Sequence, residues 1–286
     1  MAGKKRQSNK VFESDHPGMN MPGAPISNVM KDDFGLEIPY ETVPLPSLGK
    51  CYPADHPLHN AETVDIRPMT AREEDILTSR ALIKKGTVIT HLLESCVIDK
   101  RIKANELLSG DRNALMIALR ITGYGADYNV EVQCPECSTN SKYEFDLTDM
   151  PIDRLGCDPA SPGENMFEFT LPYTKKVVKF KFLTGHDEEE IQKLDARRKK
   201  MGQLSDNLIT TRLEYAICEI SGVTDRSKIN NFIRNMPARD SRALRKHIDE
   251  NEPGIELTSW FECPACGESS EVSVPLGASF FWPDTE

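Results

Sequence analysis

A short cysteine motif written twice constrains this chain more than any other feature: Cys134-Pro135-Glu136-Cys137 and Cys263-Pro264-Ala265-Cys266. Each C-P-x-C follows a strand-like run, Tyr128 to Gln133 and Leu257 to Glu262, and each precedes polar residues and a second strand-like run. A C-x-x-C turn lets two thiolates converge on one ion, and two such turns complete the tetrahedral four-thiolate shell that zinc prefers. The separation is far longer than the roughly 15 to 20 residues of an ordinary two-pair zinc site. If one ion holds all four sulfurs, the chain leaves at residue 137 and returns at residue 263. The segment between is then an insertion closed at its base by Zn2+. A thioredoxin-like redox role needs a helix starting at the first cysteine of a βαβ unit, which neither pair has. Disulfides or unpaired thiols are the remaining readings. A shell filled by Cys134, Cys137, Cys263 and Cys266 leaves no position for water, so such a zinc is structural rather than catalytic.

A chain of 286 residues is long enough to bury a core and to hold one or two domains. No apolar run approaches the roughly 20 residues a membrane helix needs, so no membrane association is expected. Met1 to Lys10 has no apolar core and does not read as a secretory signal. Eight cysteines, half of them in zinc-like pairs, fit a reducing cytoplasm. Cys51, Cys96, Cys157 and Cys218 read as ordinary free thiols, with Cys96 and Cys218 on the apolar faces of helical patterns. The formal net charge of -10 repels polyanions. The knuckles themselves carry Glu136, Glu262, Glu268 and Glu271 and no arginine, so nucleic acid is not expected as a partner.

The expected architecture is α+β, a helical and small β zinc-ribbon core split by a long α+β insertion. Residues 1–40 read as a flexible N-terminal arm: Met19 to Pro25 has no periodicity and too little apolar bulk to offset ordering entropy. It is either a floppy tail or an arm that orders on a partner. Residues 41–150 hold a helical region and the first knuckle. After the turn-dense run Val43 to Pro53 comes a strand at 62–67. Thr70 and Glu73 form a capping box for a helix over 70–84, followed by helices over 87–98 and 111–121. Residues 151–250 form the inserted lobe, with strands at 167–171 and 177–183 and helices over 187–200, 206–221, 226–236 and 239–249. Ile209, Leu213, Ala216, Ile217 and Ile220 mark the core stripe of the second helix, and Ile229, Phe232, Ile233 and Met236 that of the third. Residues 251–286 return through the second knuckle and complete the ribbon.

Catalytic signatures are missing: there is no Walker loop, G-x-G-x-x-G after a strand, G-x-S-x-G or H-E-x-x-H. His186-Asp187 reads better as a helix cap than as an acid–base pair, and Asp187 to Glu190 suits a helix N-terminus by its dipole. An enzyme is not expected. Phe280, Phe281 and Trp282 read either as a plug under the ribbon or as anchors for another subunit.

Several stretches together resemble a known family. These are Leu45-Pro46-Ser47-x-Gly49-x-x-Tyr52-Pro53, Arg67-Pro68-Met69-Thr70-x-x-Glu73-Glu74, and Gly110-Asp111-Arg112 with Leu119-Arg120 and Tyr124-Gly125. Cys134-Pro135-x-Cys137 and Cys263-Pro264-x-Cys266-Gly267 follow, with Pro275-Leu276 and Phe280-Phe281-Trp282-Pro283. Over about residues 41–150 and 255–286 the chain is similar to the T-even-like baseplate hub proteins of contractile-tailed bacteriophages. The resemblance implies a non-enzymatic virion component of the tail baseplate, made in the host bacterial cytoplasm. Its partners would be other tail or baseplate proteins: hub, spike and tape measure. Leu45, Pro46, Tyr52, Phe280, Phe281 and Trp282 are then candidate partner-binding residues. Two other functions stay open: a hub assembly factor absent from the mature virion, and a cellular zinc-ribbon adaptor in transcription.

Overall fold

The computed structural model of the chain describes residues 29–31, 37–201, 207–274, 276 and 278–281. Of the arm expected over 1–40, residues 1–28 lie outside the described residues. Strands β1 (Val29–Lys31) and β2 (Glu37–Pro39) pair antiparallel, with Met30 opposite Ile38. Strands β3 (Glu41–Pro44) and β4 (Thr63–Ile66) make a second antiparallel pair. The turns between them close tightly at Gly49, whose φ is +68°. A Cβ there would stand 2.3 Å from the Ala61 nitrogen and the Leu58 carbonyl, so only glycine fits.

Helices α1 (Ala71–Thr78), α2 (Arg80–Lys85), α3 (Val88–Cys96) and α4 (Ser109–Tyr124) follow. The helix expected over 70–84 is broken at Ser79, which takes an extended conformation (ψ 103°) and turns its amide to the Ile76 carbonyl. Serine competes for the backbone and is a weak helix former. The expected capping box is present, and it does more than cap. The buried Glu73 carboxylate accepts from Arg67 Nη2 at 2.7 Å, Ser95 Oγ at 2.6 Å, Thr70 Oγ1 at 2.6 Å and the Thr70 amide at 2.9 Å. One carboxylate thus ties the start of α1 to β4 and to α3.

Burial alone would raise the Glu73 carboxyl, but the donors of Arg67, Ser95 and Thr70 overcome it and hold the group below the usual carboxylate range. A depressed folded pKa means the contribution is complete above the ordinary glutamate pKa of about 4.3 and is lost progressively as pH falls from there to the depressed folded value. Glu73→Gln is therefore expected to cost about 2 kcal/mol at pH 7. The gap to wild type should narrow below about pH 4. Urea midpoints at the two pH values check this, and a gap that stays constant would refute it.

Past α4 the chain forms the hairpin β5 (Asp127–Gln133) and β6 (Asn140–Asp146), then β7 (Ile152–Asp153). The stretch that follows holds β8 (Phe167–Thr170), β9 (Val177–Phe180), α5 (Gly185–Lys200), α6 (Leu208–Ala216), β10 (Ile217–Ile220), α7 (Arg226–Arg234) and α8 (Ala238–Asn251). Its three strands form one antiparallel sheet in the order β10-β9-β8. This corrects the helix expected over 206–221. Ile217 to Ile220, and Cys218 with them, leave the helix and pair with β9, Ile217 lying opposite Phe180. Ile209, placed on the core stripe, is 51% exposed, whereas Leu213, Ala216, Ile217 and Ile220 are buried. Ile229 and Ile233 of α7 are buried as expected, with Phe232 and Met236 packed at the margin.

The return is marked by β11 (Gly254–Ile255), which pairs antiparallel with β7. Here α4 meets the returning backbone at Gly110, where a Cβ would stand 1.8 Å from the Pro253 carbonyl oxygen. The hairpin β12 (Thr258–Glu262) and β13 (Ser269–Ser273) and a 3-10 turn (Ala278–Phe281) complete the described chain. Most buried apolar side chains from Val43 to Phe281 form one cluster that includes Phe167, Phe180 and Phe182 of the intervening segment, and Leu183, Ile191 and Ala216 form a second, small one. The mixture of helices and separate small sheets is α+β. Among the described residues, no helix is long and apolar enough to cross a membrane.

Candidate metal centre

Both knuckles sit at hairpin tips and are built alike. In the first, the Cys134 amide donates to the Thr139 carbonyl at 3.0 Å and the Ser138 amide to the Cys134 carbonyl at 2.9 Å. In the second, the Cys263 amide donates to the Glu268 carbonyl at 2.9 Å and the Gly267 amide to the Cys263 carbonyl at 2.8 Å. Each turn needs a left-handed residue after its second cysteine, Ser138 at φ 57° and Gly267 at φ 72°. In each, the first cysteine is buried (Cys134, Cys263) and the second exposed (Cys137, Cys266).

The two tips face each other. Cys134 Sγ lies 3.8 Å from Cys266 Sγ, and Cys137 Sγ lies 3.7 Å from Cys263 Sγ. All four sulfurs fall within 4.8 Å of one another. Zinc–sulfur bonds of about 2.3 Å in a tetrahedron put its sulfurs about 3.8 Å apart, so both of these separations fit one four-coordinate ion. No disulfide joins these thiols. Hydrogen bonding to Thr139 pulls the Cys137 thiol down to about 6, the direction that favours a ligating thiolate. At Cys266 the Glu268 amide also favours the thiolate. Desolvation and the crowding of Cys263, Cys137 and Cys134 outweigh it and push that thiol up to about 12. Four thiols this close cannot all ionise without a cation between them.

The hairpins beneath the tips are joined by rings, and one arginine ties the first of them to the end of the described chain. Tyr143 of β6 packs edge-on against Phe261 of β12 at 5.1 Å, and its hydroxyl donates to the Trp260 carbonyl at 3.4 Å. Arg120, near the end of α4, is 3% exposed. Its guanidinium donates to the carbonyls of Gly125 (2.9 Å), Asp127 (3.1 Å) and Phe280 (3.0 Å), fastening the end of the described chain to the first hairpin.

The candidate partner-binding residues are spent inside the chain. Leu45, Pro46, Tyr52, Phe280 and Phe281 are all buried, and Phe280 packs edge-on against Tyr128 at 5.1 Å. Trp282 lies outside the described residues. Tyr52 instead serves a buried polar knot: its hydroxyl donates to Asp111 Oδ2 at 2.6 Å, while the Ser47 hydroxyl and amide donate to the same carboxylate at 2.6 and 3.0 Å. Tyr52 Oη also accepts from the Leu108 amide at 3.1 Å. Burial pushes the Asp111 carboxyl above its usual range even against these donors. His186-Asp187 is a cap rather than an acid–base pair: the Asp187 carboxylate accepts from the Thr184 amide and hydroxyl and from Lys181 Nζ.

Sequence reasoning overlooked Trp260, which stands 65% exposed on β12 immediately below the second knuckle. The signal was a strand alternation, with Phe261 facing inward and Trp260 therefore outward.

Compared with known proteins, the chain matches the family model described as T4 bacteriophage base plate protein over residues 38–282. No curated protein and no solved structure matches it. The match runs through both knuckles and the whole segment between them, and so the chain belongs to the T4 bacteriophage base plate protein family.

Proposed function

We propose that the chain is a non-enzymatic structural component of a contractile phage tail, seated in the hub region of the baseplate. The family match over residues 38–282 carries this reading. In it, Cys134, Cys137, Cys263 and Cys266 hold one structural zinc ion, and the two knuckle hairpins act together as a zinc ribbon. The ion supplies folding energy and no reaction, since a four-thiolate shell is closed to water. The N-terminal segment over residues 1–40 is read as an arm contacting neighbouring hub, spike or tape-measure subunits.

Quantitative mass spectrometry of purified particles, with this chain counted against the sheath protein, tests the reading. A fixed small number of copies per particle is expected. Absence from particles together with presence in infected-cell extracts would replace it with an assembly factor that leaves the finished tail. Absence from both would overturn the baseplate reading.

A further inference from the structure

The register of β12 and β13 divides their side chains into two faces. Phe261 and Val272 point into the core, and Trp260 and Glu271 form a directly opposed pair on the outer face with Glu262 two residues along. An indole left 65% exposed stands out on an otherwise polar face, because tryptophan is highly buried on average. Its own hairpin carries one sign of charge. Residues 256–273 contain Glu256, Glu262, Glu268 and Glu271 and no lysine, arginine or histidine. Glu262, Glu268 and Glu271 are exposed.

We propose that the outer face of the β12–β13 hairpin, centred on Trp260, docks a basic protein surface whose arginine stacks on the indole. Charge decides between occupants. Nucleic acid and anionic membranes are repelled by the glutamates, and a second copy would bring the same acidic face against itself. A cationic surface is attracted, and its approach removes Trp260 from water. Arginine suits the site better than lysine, because a planar, weakly hydrated guanidinium stacks on an aromatic face while its edge still reaches carboxylates. A single exposed tryptophan ringed by polar groups is the usual form of an interface anchor.

The test uses the full zinc-loaded chain and a labelled oligo-arginine peptide, with binding followed by fluorescence anisotropy. Saturable binding is expected at low salt, weakening as ionic strength rises. Oligo-lysine of equal length should bind less tightly. Trp260→Ala should weaken arginine binding about tenfold or more while leaving the melting temperature unchanged, and Glu262→Gln with Glu271→Gln should weaken it as well. Equal binding by Trp260→Ala would reduce the effect to diffuse charge attraction and overturn the proposal. So would failure of the oligo-arginine peptide to bind, binding of a duplex oligonucleotide at this face, or self-association in sedimentation that Trp260→Ala abolishes. The site stands on the surface chemistry of the hairpin alone, so its failure would leave the baseplate reading untouched.

Discussion

Cys263→Ser is expected to abolish stoichiometric zinc binding and to lower stability by on the order of 5 kcal/mol, or about 10–20 °C in melting temperature. The size follows from competing magnitudes. Zinc binding to small four-ligand peptides is worth about 10–16 kcal/mol in apparent free energy, and a whole domain is stable by only about 5–15 kcal/mol. Serine oxygen is a poor substitute for a soft thiolate. Position 263 is 1% exposed, so the new hydroxyl is also buried at a site shaped for sulfur. Cys266→Ser should lose the metal equally but cost less in packing, because that side chain is exposed. Cys218→Ser, remote from the sulfur cluster, should keep one zinc per chain. Metal content by mass spectrometry and thermal melts with and without chelator check these outcomes. A refolded wild-type chain without stoichiometric zinc, or a Cys263→Ser variant that melts with wild type, would sink the structural-zinc reading.

Asp111→Ala should be the most damaging substitution away from the sulfurs, costing about 3–5 kcal/mol in urea denaturation. The carboxylate is fully buried and receives the Ser47 amide, the Ser47 hydroxyl and the Tyr52 hydroxyl. Alanine strands all three donors at a buried site, and the desolvation cost of each is then uncompensated. It also opens a cavity between the turn after β3 and the first turn of α4. Tyr52→Phe removes one donor to Asp111 and strands the Leu108 amide, and should cost about 1.5–3 kcal/mol. The double variant should cost less than the sum of the two, since both act on one knot. Additive effects would show that Tyr52 and Asp111 stabilise the fold separately.

These two sites were legible in the sequence to very different degrees. The convergence of the cysteine pairs could be read because each C-x-x-C turn is local and two with matching flanks point to one shared site. Thr70 and Glu73 were readable for the same reason, as a capping box is a contact three residues long. Asp111 could not be read, since Ser47 and Tyr52 stand 64 and 59 positions away and nothing in their own neighbourhoods announces a shared acceptor. The residues that carried the family resemblance, Ser47, Tyr52, Arg67, Glu73, Asp111 and Arg120, prove to be the chain's own fastenings. The misreading over 206–221 has a definite cause. Leu213, Ala216, Ile217 and Ile220 satisfy helical spacing, and only pairing with β9, a long-range contact, moves the last two into a sheet. Local periodicity held no sign of that partner, although β-branched isoleucine accommodates either state.

The division of the sulfur cluster into two halves far apart in sequence couples it to residues it never touches. Each tip alone offers two thiolates, a weak chelator. Its affinity for an ion rises only when the rest of the chain holds the other tip at a high effective concentration. By reciprocity, whatever free energy the fold lends to ion capture, the captured ion returns to the fold. A substitution deep in the intervening segment, at Phe180 or Ile233 for example, should therefore show up as faster loss of metal to a competing chelator. Metal retention becomes a gauge of how well the distant residues are packed.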